Sequence, residues 1–190
     1  MILTACLNTN PIMVYFGQEL GERGMDEEGF SGRDGRTTIF DYWSVVKIVR
    51  WNNSGKWNNA QLTADEQDLR KRYTSILQLC NKENAFSQGK FFDLMYANYE
   101  NTEFNSTKKY AFLRGDGESL FLIVVNFNDN EPMVKVNIPD EAYSFFGIEK
   151  NDIQQATPIL KEDSSAVPFD KSSLLELEIE LHSGEVFKLH

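Results

Sequence analysis

From Leu175 to Leu181 the chain reads Leu-Glu-Leu-Glu-Ile-Glu-Leu, a strict alternation of apolar and acidic residues. A period of two belongs to a β-strand, whose successive side chains point to opposite faces. On a helix the same residues would scatter over the whole circumference. One face of this strand is therefore dry and the other wet, which is the pattern of an antiparallel sheet. Similar segments precede it at Phe91–Ala97, Lys109–Arg114, Ser119–Phe127 and Pro132–Ile138, and another follows at Val186–Leu189. Turn chemistry is explicit at Gly115-Asp-Gly117, Asn128-Asp-Asn130 and His182-Ser-Gly184. Tyr143, Phe145 and Phe146 suggest a packed excursion between strands, and 161–170 reads as a polar loop.

The first 83 residues follow a different rhythm. Ile2, Leu3, Cys6 and Leu7 mark one face of a helix tail that ends at Asn8-Thr-Asn10, before Pro11. Ile12–Phe16 is a continuous apolar run, as in strands buried on both faces of a parallel α/β sheet or barrel. Residues 17–60 read as a long loop broken by glycines and rich in acids and aromatics. Such loops are uncommon unless they serve a function, or pack their own aromatics as a lid. Thr63 and Glu66 have the spacing of a capping box. Leu69, Tyr73, Ile76, Leu77 and Cys80 then trace one face of a helix over 63–81. The change from helix–strand–helix to β meander places a domain boundary near residue 84.

Composition excludes several function classes. The formal net charge is -10, and nucleic-acid binding needs a basic surface. The one dense basic cluster, Arg70-Lys-Arg72, falls among acids in the 63–81 helix and reads as a solvated face. With two histidines, His182 and His190, neither a Ser-His-Asp triad nor a histidine zinc site is supported. The two cysteines, Cys6 and Cys80, sit among apolar residues at helical spacing. That reads as buried free thiols rather than a bridge or redox pair, and no metal-ligand spacing is present. No signal peptide or membrane span is legible.

Candidate chemistry gathers after Phe16. Ligands of parallel α/β folds meet the C-terminal ends of strands. Gly17 permits a sharp turn there, directing Gln18 and Glu19 toward any site. Glu19 and Glu22 invite comparison with a glycosidase carboxylate pair, but such a pair must straddle a bond in space. An acidic loop paired with Arg23, Arg33 or Arg36 is the simpler account. Aromatics mixed with amides, as in Asp41-Tyr42-Trp43 and Trp51-Asn-Asn-Ser-Gly-Lys-Trp57, suit stacking on sugar rings. Anchoring a loop to a core is the competing role, and we favour it for at least one of the three tryptophans. Lys108, Lys109 and Arg114, alternating with Tyr110 and Phe112, read as an edge or half-buried strand.

Taken together, several segments resemble the alpha-amylase superfamily of glycoside hydrolases, family 13 type. "NPIMVYFGQELGE" is similar to the family's G-x-P-x-x-Y-Y-G-x-E-x-G segment, strand eight of a (β/α)8 barrel and the turn after it. "GRDGRTTIFDYWS" resembles the loop that follows in some members. "YTSILQLCNKENAFSQGKF" resembles the last barrel helix entering the C-terminal domain. "YAFLRGDGESLFLIVVNFND" with "VNIP" resembles that domain's antiparallel sandwich. The resemblance implies a mostly β fold: a C-terminal antiparallel β-sandwich over 84–190, preceded by a helix-strand-loop-helix remnant of the barrel over 1–83.

The family's nucleophile, acid/base and third carboxylate lie on strands four, five and seven. The strand-seven F-x-x-N-H-D motif has no counterpart here. The resemblance therefore implies the C-terminal portion of a retaining α-glucan enzyme, itself without catalytic residues and inactive alone. A whole barrel takes roughly 250 residues. Gln18, Glu19, Tyr42, Trp43, Trp51 and Trp57 would then lie near the substrate. The implied partner is an α-glucan or oligosaccharide, bound by the parent enzyme. Neither nucleic acid nor membrane is expected as a partner. The exposed barrel-facing surface is expected either to lean on the sandwich or to pair with a second copy as a homodimer. No cofactor is implied; a structural calcium would be a matter of the parent, and no ligands for one are legible here. A carbohydrate-binding module and a purely structural domain capping the barrel are the alternative readings.

Overall fold

The computed structural model describes residues 1–22, 45–161, 165–169 and 174–190. These form two compact units: residues 11–75, and residues 1–10 together with 76–190.

The larger unit is sheet-rich. Its main antiparallel sheet has six strands: β1 (Lys90–Asp93), β2 (Lys109–Gly115), β3 (Leu120–Asn126), β5 (Gln155–Pro158), β6 (Val167–Pro168) and β8 (Ser183–Leu189). Their spatial order is β1-β2-β3-β8-β5-β6. A second antiparallel pair joins β4 (Met133–Val136) to β7 (Leu175–Glu178). Leu113, Leu122 and Val124 of the first sheet share one buried core with Val134, Val136, Leu175 and Leu177 of the second, an arrangement that fits a β-sandwich.

The alternation is realised over 175–180. Leu175, Leu177 and Ile179 are buried, and Glu176, Glu178 and Glu180 are exposed. The β2–β3 hairpin turns at Asp116, whose Oδ1 accepts from the Glu118 and Ser119 amides at 3.0 and 2.8 Å. The other two turns change sheets rather than closing hairpins, because β3 pairs with β8 and β4 with β7.

Three expectations for this unit need correction. The strand over Phe91–Ala97 stops at Asp93, whose carboxylate accepts from the Met95 amide at 2.8 Å and turns the chain into the helix α5 (Met95–Asn98). The stretch carrying Lys109 and Arg114 is not an edge. It lies between β1 and β3, and only Tyr110 within it is half-exposed. Inside the polar loop, Val167 and Pro168 pair with β5. The aromatic excursion is the helix α6 (Asp140–Phe146), which buries Tyr143 and Phe146 and is closed by Gly147 at φ +70°.

On the opposite face of the six-stranded sheet, the short helices α1 (Ile2–Cys6) and α4 (Asn84–Ser87) pack against β3 and β2. The Phe86 and Phe121 rings lie 5.0 Å apart there. Gly184 permits this closeness: a Cβ at that position would stand 3.0 Å from Val124 O and 3.1 Å from Ile2 Cδ1.

The smaller unit contains α2 (Val46–Asn52) and the first turns of α3 (Ala64–Lys82), the chain's longest helix, whose last turns fall in the larger unit. The long-loop reading missed α2, whose Val46, Ile48 and Val49 carry strand propensity; burial of Ile48 decides for helix. The capping box forms. The Glu66 carboxylate accepts from the Thr63 amide at 2.9 Å, and Thr63 Oγ1 from the Glu66 amide at 3.3 Å. Among the described residues, 11–15 are paired in no strand ladder, in place of the expected buried strand. They alternate between exposed (Pro11, Met13, Tyr15) and half-buried (Ile12, Val14).

Candidate functional site

The turn after Phe16 is built on two left-handed glycines, Gly17 at φ +73° and Gly21 at φ +72°, flanking a single 3₁₀ turn at Gln18–Leu20. The Glu22 amide closes it by donating to Gly17 O at 3.0 Å. Any Cβ on Gly17 would meet Glu22 Cβ at 2.8 Å, so the turn requires glycine for space as well as for φ. Leu20 is the anchor. It is buried with Val45, Ile48 and Leu62, and Phe16 and Trp51 pack against that cluster. Lys47 Nζ donates to Gly21 O and ties the turn to α2.

Gln18 is exposed on this fixed backbone. Its Oε1 accepts from the Tyr15 amide at 3.0 Å, so the side chain braces the turn. Glu19 is half-buried beside it. Backbone geometry thus holds two of the expected residues at the tip of one turn.

Trp51 and Trp57 come together as an edge-to-face pair with centroids 4.9 Å apart and planes at 70°. The chain reverses between them through three successive positive-φ residues, Asn53, Ser54 and Gly55, with a fourth at Trp57 itself. The Asn52 side chain accepts from the Gly55 amide at 2.6 Å, and the Asn52 carbonyl from the Trp57 amide at 3.0 Å. Asn53 Nδ2 donates to Asn58 Oδ1 at 2.9 Å. The Arg70 guanidinium sits 5.2 Å from the Trp51 ring centroid. Trp51 is thus covered by the core, Arg70 and Trp57, while Trp57 remains 51% exposed and presents an aromatic surface. Tyr42 and Trp43 lie outside the described residues, as do Arg23, Arg33 and Arg36.

One ion pair underlies this unit. Arg50 Nε donates to Glu66 Oε2 at 3.1 Å, and Arg50 Nη2 reaches Glu66 Oε1. Burial pushes the Glu66 carboxyl up, but hydrogen bonds from Arg50 and Thr63 outweigh it and hold the group below its ordinary range. Sequence reasoning saw Glu66 as a cap and missed Arg50. An arginine in the last turn of an unrecognised helix carries no local signal of its partner.

Among the described residues no group of three His, Cys, Asp or Glu side chains could hold a metal ion. No helix there is long and apolar enough to cross a membrane.

No protein-family model matches this sequence, and no curated protein does. Solved structures do. AmyP in complex with maltose superposes with a TM-score of 0.62 at 15% identity over 99% of this chain and 33% of its own. An AmyP variant in complex with maltotriose gives 0.61, also at 15% identity. The fold is that of part of an alpha-amylase chain. The alpha-amylase of Geobacillus thermoleovorans, solved with acarbose, agrees at TM-score 0.55 and 17% identity over 100% of this chain and 32% of its own. The present chain thus spans about a third of the length of the alpha-amylase structures that it matches.

Proposed function

We propose that this chain is the C-terminal portion of an alpha-amylase-like glycoside hydrolase acting on α-glucans, and that it lacks the catalytic carboxylates itself. The observation that carries this reading is the match of essentially the whole chain to a third of AmyP, in agreement with the order of family-like segments along the sequence. In this reading residues 1–83 are what remains of a (β/α)8 barrel and 84–190 are the antiparallel sandwich of the amylase C-terminal domain type. The Gln18–Leu20 turn and the Trp57 face then contribute to the rim of a sugar site and break no bond. Retention at the anomeric centre, with covalent double displacement, would belong to carboxylates of the parent enzyme.

The test is an assay of the purified chain on soluble starch and maltooligosaccharides. No release of reducing sugar is expected from this chain, and turnover appears once the upstream sequence of the parent is supplied. Turnover by the 190-residue chain alone would sink the proposal. A second reading, a carbohydrate-binding module, is favoured by one observation: Trp57 is held half-exposed beside the amides of Asn53 and Asn58. Calorimetry with maltotriose separates the two, since a module binds it and loses binding in Trp57→Ala.

A further inference from the structure

Cys6 and Cys80 are 74 positions apart in sequence, yet their Sγ atoms lie 3.9 Å from one another. Cys6 sits at the end of α1, and Cys80 in the last turns of α3. Both belong to the larger compact unit. Cys6 is fully buried, whereas Cys80 is partly exposed. A second contact holds the pair in one place, because the Cys80 thiol donates to the Ala5 carbonyl oxygen at 3.5 Å. We propose that Cys6 and Cys80 form a redox-active dithiol, with Cys80 oxidised first and Cys6 resolving, which closes to an intramolecular disulfide when the protein meets a peroxide.

The surroundings assign the two roles. Thiolates react and thiols do not, so the first sulfur to be oxidised must be both reachable and anionic. Cys80 is the reachable one. Its thiol is held below its ordinary range by the hydrogen bond from Cys6, with the nearby Arg114 charge acting in the same direction against burial. Cys6 is pushed the other way by that same hydrogen bond and by burial, so it keeps the proton. The Arg114 guanidinium is itself fixed beside the pair, donating to Leu7 O, the carbonyl next to Cys6, at 3.2 Å.

The chemistry balances in two steps. The Cys80 thiolate attacks one peroxide oxygen and the O–O bond breaks. Hydroxide leaves and is protonated to water, and Cys80 becomes a sulfenic acid. Cys6 then gives up its proton, its sulfur attacks the Cys80 sulfur, and the S–O bond breaks to release a second water. Two thiols have lost two electrons, and hydrogen peroxide has become two waters. The sulfurs must approach from 3.9 Å to about 2.05 Å, a movement that side-chain rotation and a small shift of the short helix α1 supply. The bond would tie α1 to α3 and close a loop of chain that contains the whole of residues 11–75.

The full chain, freed of reductant, is treated with one equivalent of hydrogen peroxide, then denatured and alkylated with iodoacetamide. Expected is an intact mass lower by two hydrogens, no alkylated cysteine, and a Cys6–Cys80 linked peptide that separates on reduction. The melting temperature of the oxidised chain should rise by about 5–10 °C. Cys6→Ser, which removes the resolving thiol, should leave a sulfenic acid at Cys80 that dimedone captures. Two alkylatable thiols after treatment, over-oxidised Cys80 beside free Cys6, or a disulfide between chains would each overturn the proposal, and all three are read on the unsubstituted protein.

Discussion

Arg114 shows how much one side chain can hold. It is among the largest fully buried side chains, and among the described contacts its partners are backbone carbonyls rather than carboxylates. Nε donates to Ala85 O at 3.1 Å, Nη1 to Leu7 O at 3.2 Å, and Nη2 to Phe86 O and Gly89 O at 3.0 and 3.1 Å. These carbonyls end α1 and α4 or follow them, where no intrahelical donor remains. Arg114 is thus a shared C-terminal cap for two short helices, delivered from the middle of β2. Burial draws its guanidinium below the ordinary arginine range, though not far enough to lose the charge at any ordinary pH. Replacing it by methionine keeps the bulk and strands the carbonyls, which should cost about 3–5 kcal/mol. Lysine offers one point of attachment instead of a fork and should recover only part of this. The urea midpoint of each variant measures the loss. A change under about 1 kcal/mol for the methionine variant would mean that water replaces the guanidinium without penalty.

At the scale of elements, Glu66, only 5% exposed, links two pieces of local structure: the N-terminus of α3 through Thr63 and the last turn of α2 through Arg50. Its folded-state carboxyl titrates below the ordinary value of 4.5. The stabilisation is therefore fully present above pH 4.5 and is lost as the pH falls through the lower folded value. Glu66→Gln removes the charge while keeping an acceptor, and should cost about 1–2 kcal/mol at neutral pH. The expected signature is a convergence of wild type and variant on acidification, followed by circular dichroism during thermal melts at pH 7 and pH 3. A constant gap between them would show that the ion pair contributes nothing.

Thr63 and Glu66 also mark what the sequence discloses about elements. A capping box, an Asp-Gly turn and the alternation at 175–181 are local chemistry, readable within a few residues. What escaped was non-local. The buried side of β2 depends on its lying between β1 and β3, and α2 becomes a helix because Ile48 finds Leu20 and Leu62. The meeting of Cys6 with Cys80 likewise depends on two helices far apart in sequence. For the candidate site, the glycine turn and the aromatic pair were legible as residue types, whereas Leu20 as the anchor and Lys47 as the tie were not.

At the scale of the whole molecule, residues 11–16 pose the question of a missing neighbour. Met13 is 82% exposed and Tyr15 48%, on a segment with no ladder partner among the described residues. An apolar segment of this kind presents an uncovered hydrophobic stripe. Packing against another apolar surface would cover that stripe. In the proposed parent the partners would be further barrel strands; for the isolated chain the available partner is a second copy. The net charge of -10 opposes association, so the effect should be weak at low salt and grow as charge is screened. We expect a reversible dimer by sedimentation velocity at high micromolar concentration in about 0.5 M salt, where the Debye length is below 10 Å. The double substitution Met13→Lys with Tyr15→Lys should return it to monomer, because it places two charges on the exposed face while leaving Ile12, Val14 and Phe16 untouched. A dimer that survives this change must use another surface. A chain that stays monomeric at every salt concentration shows instead that the stripe needs no partner in isolation.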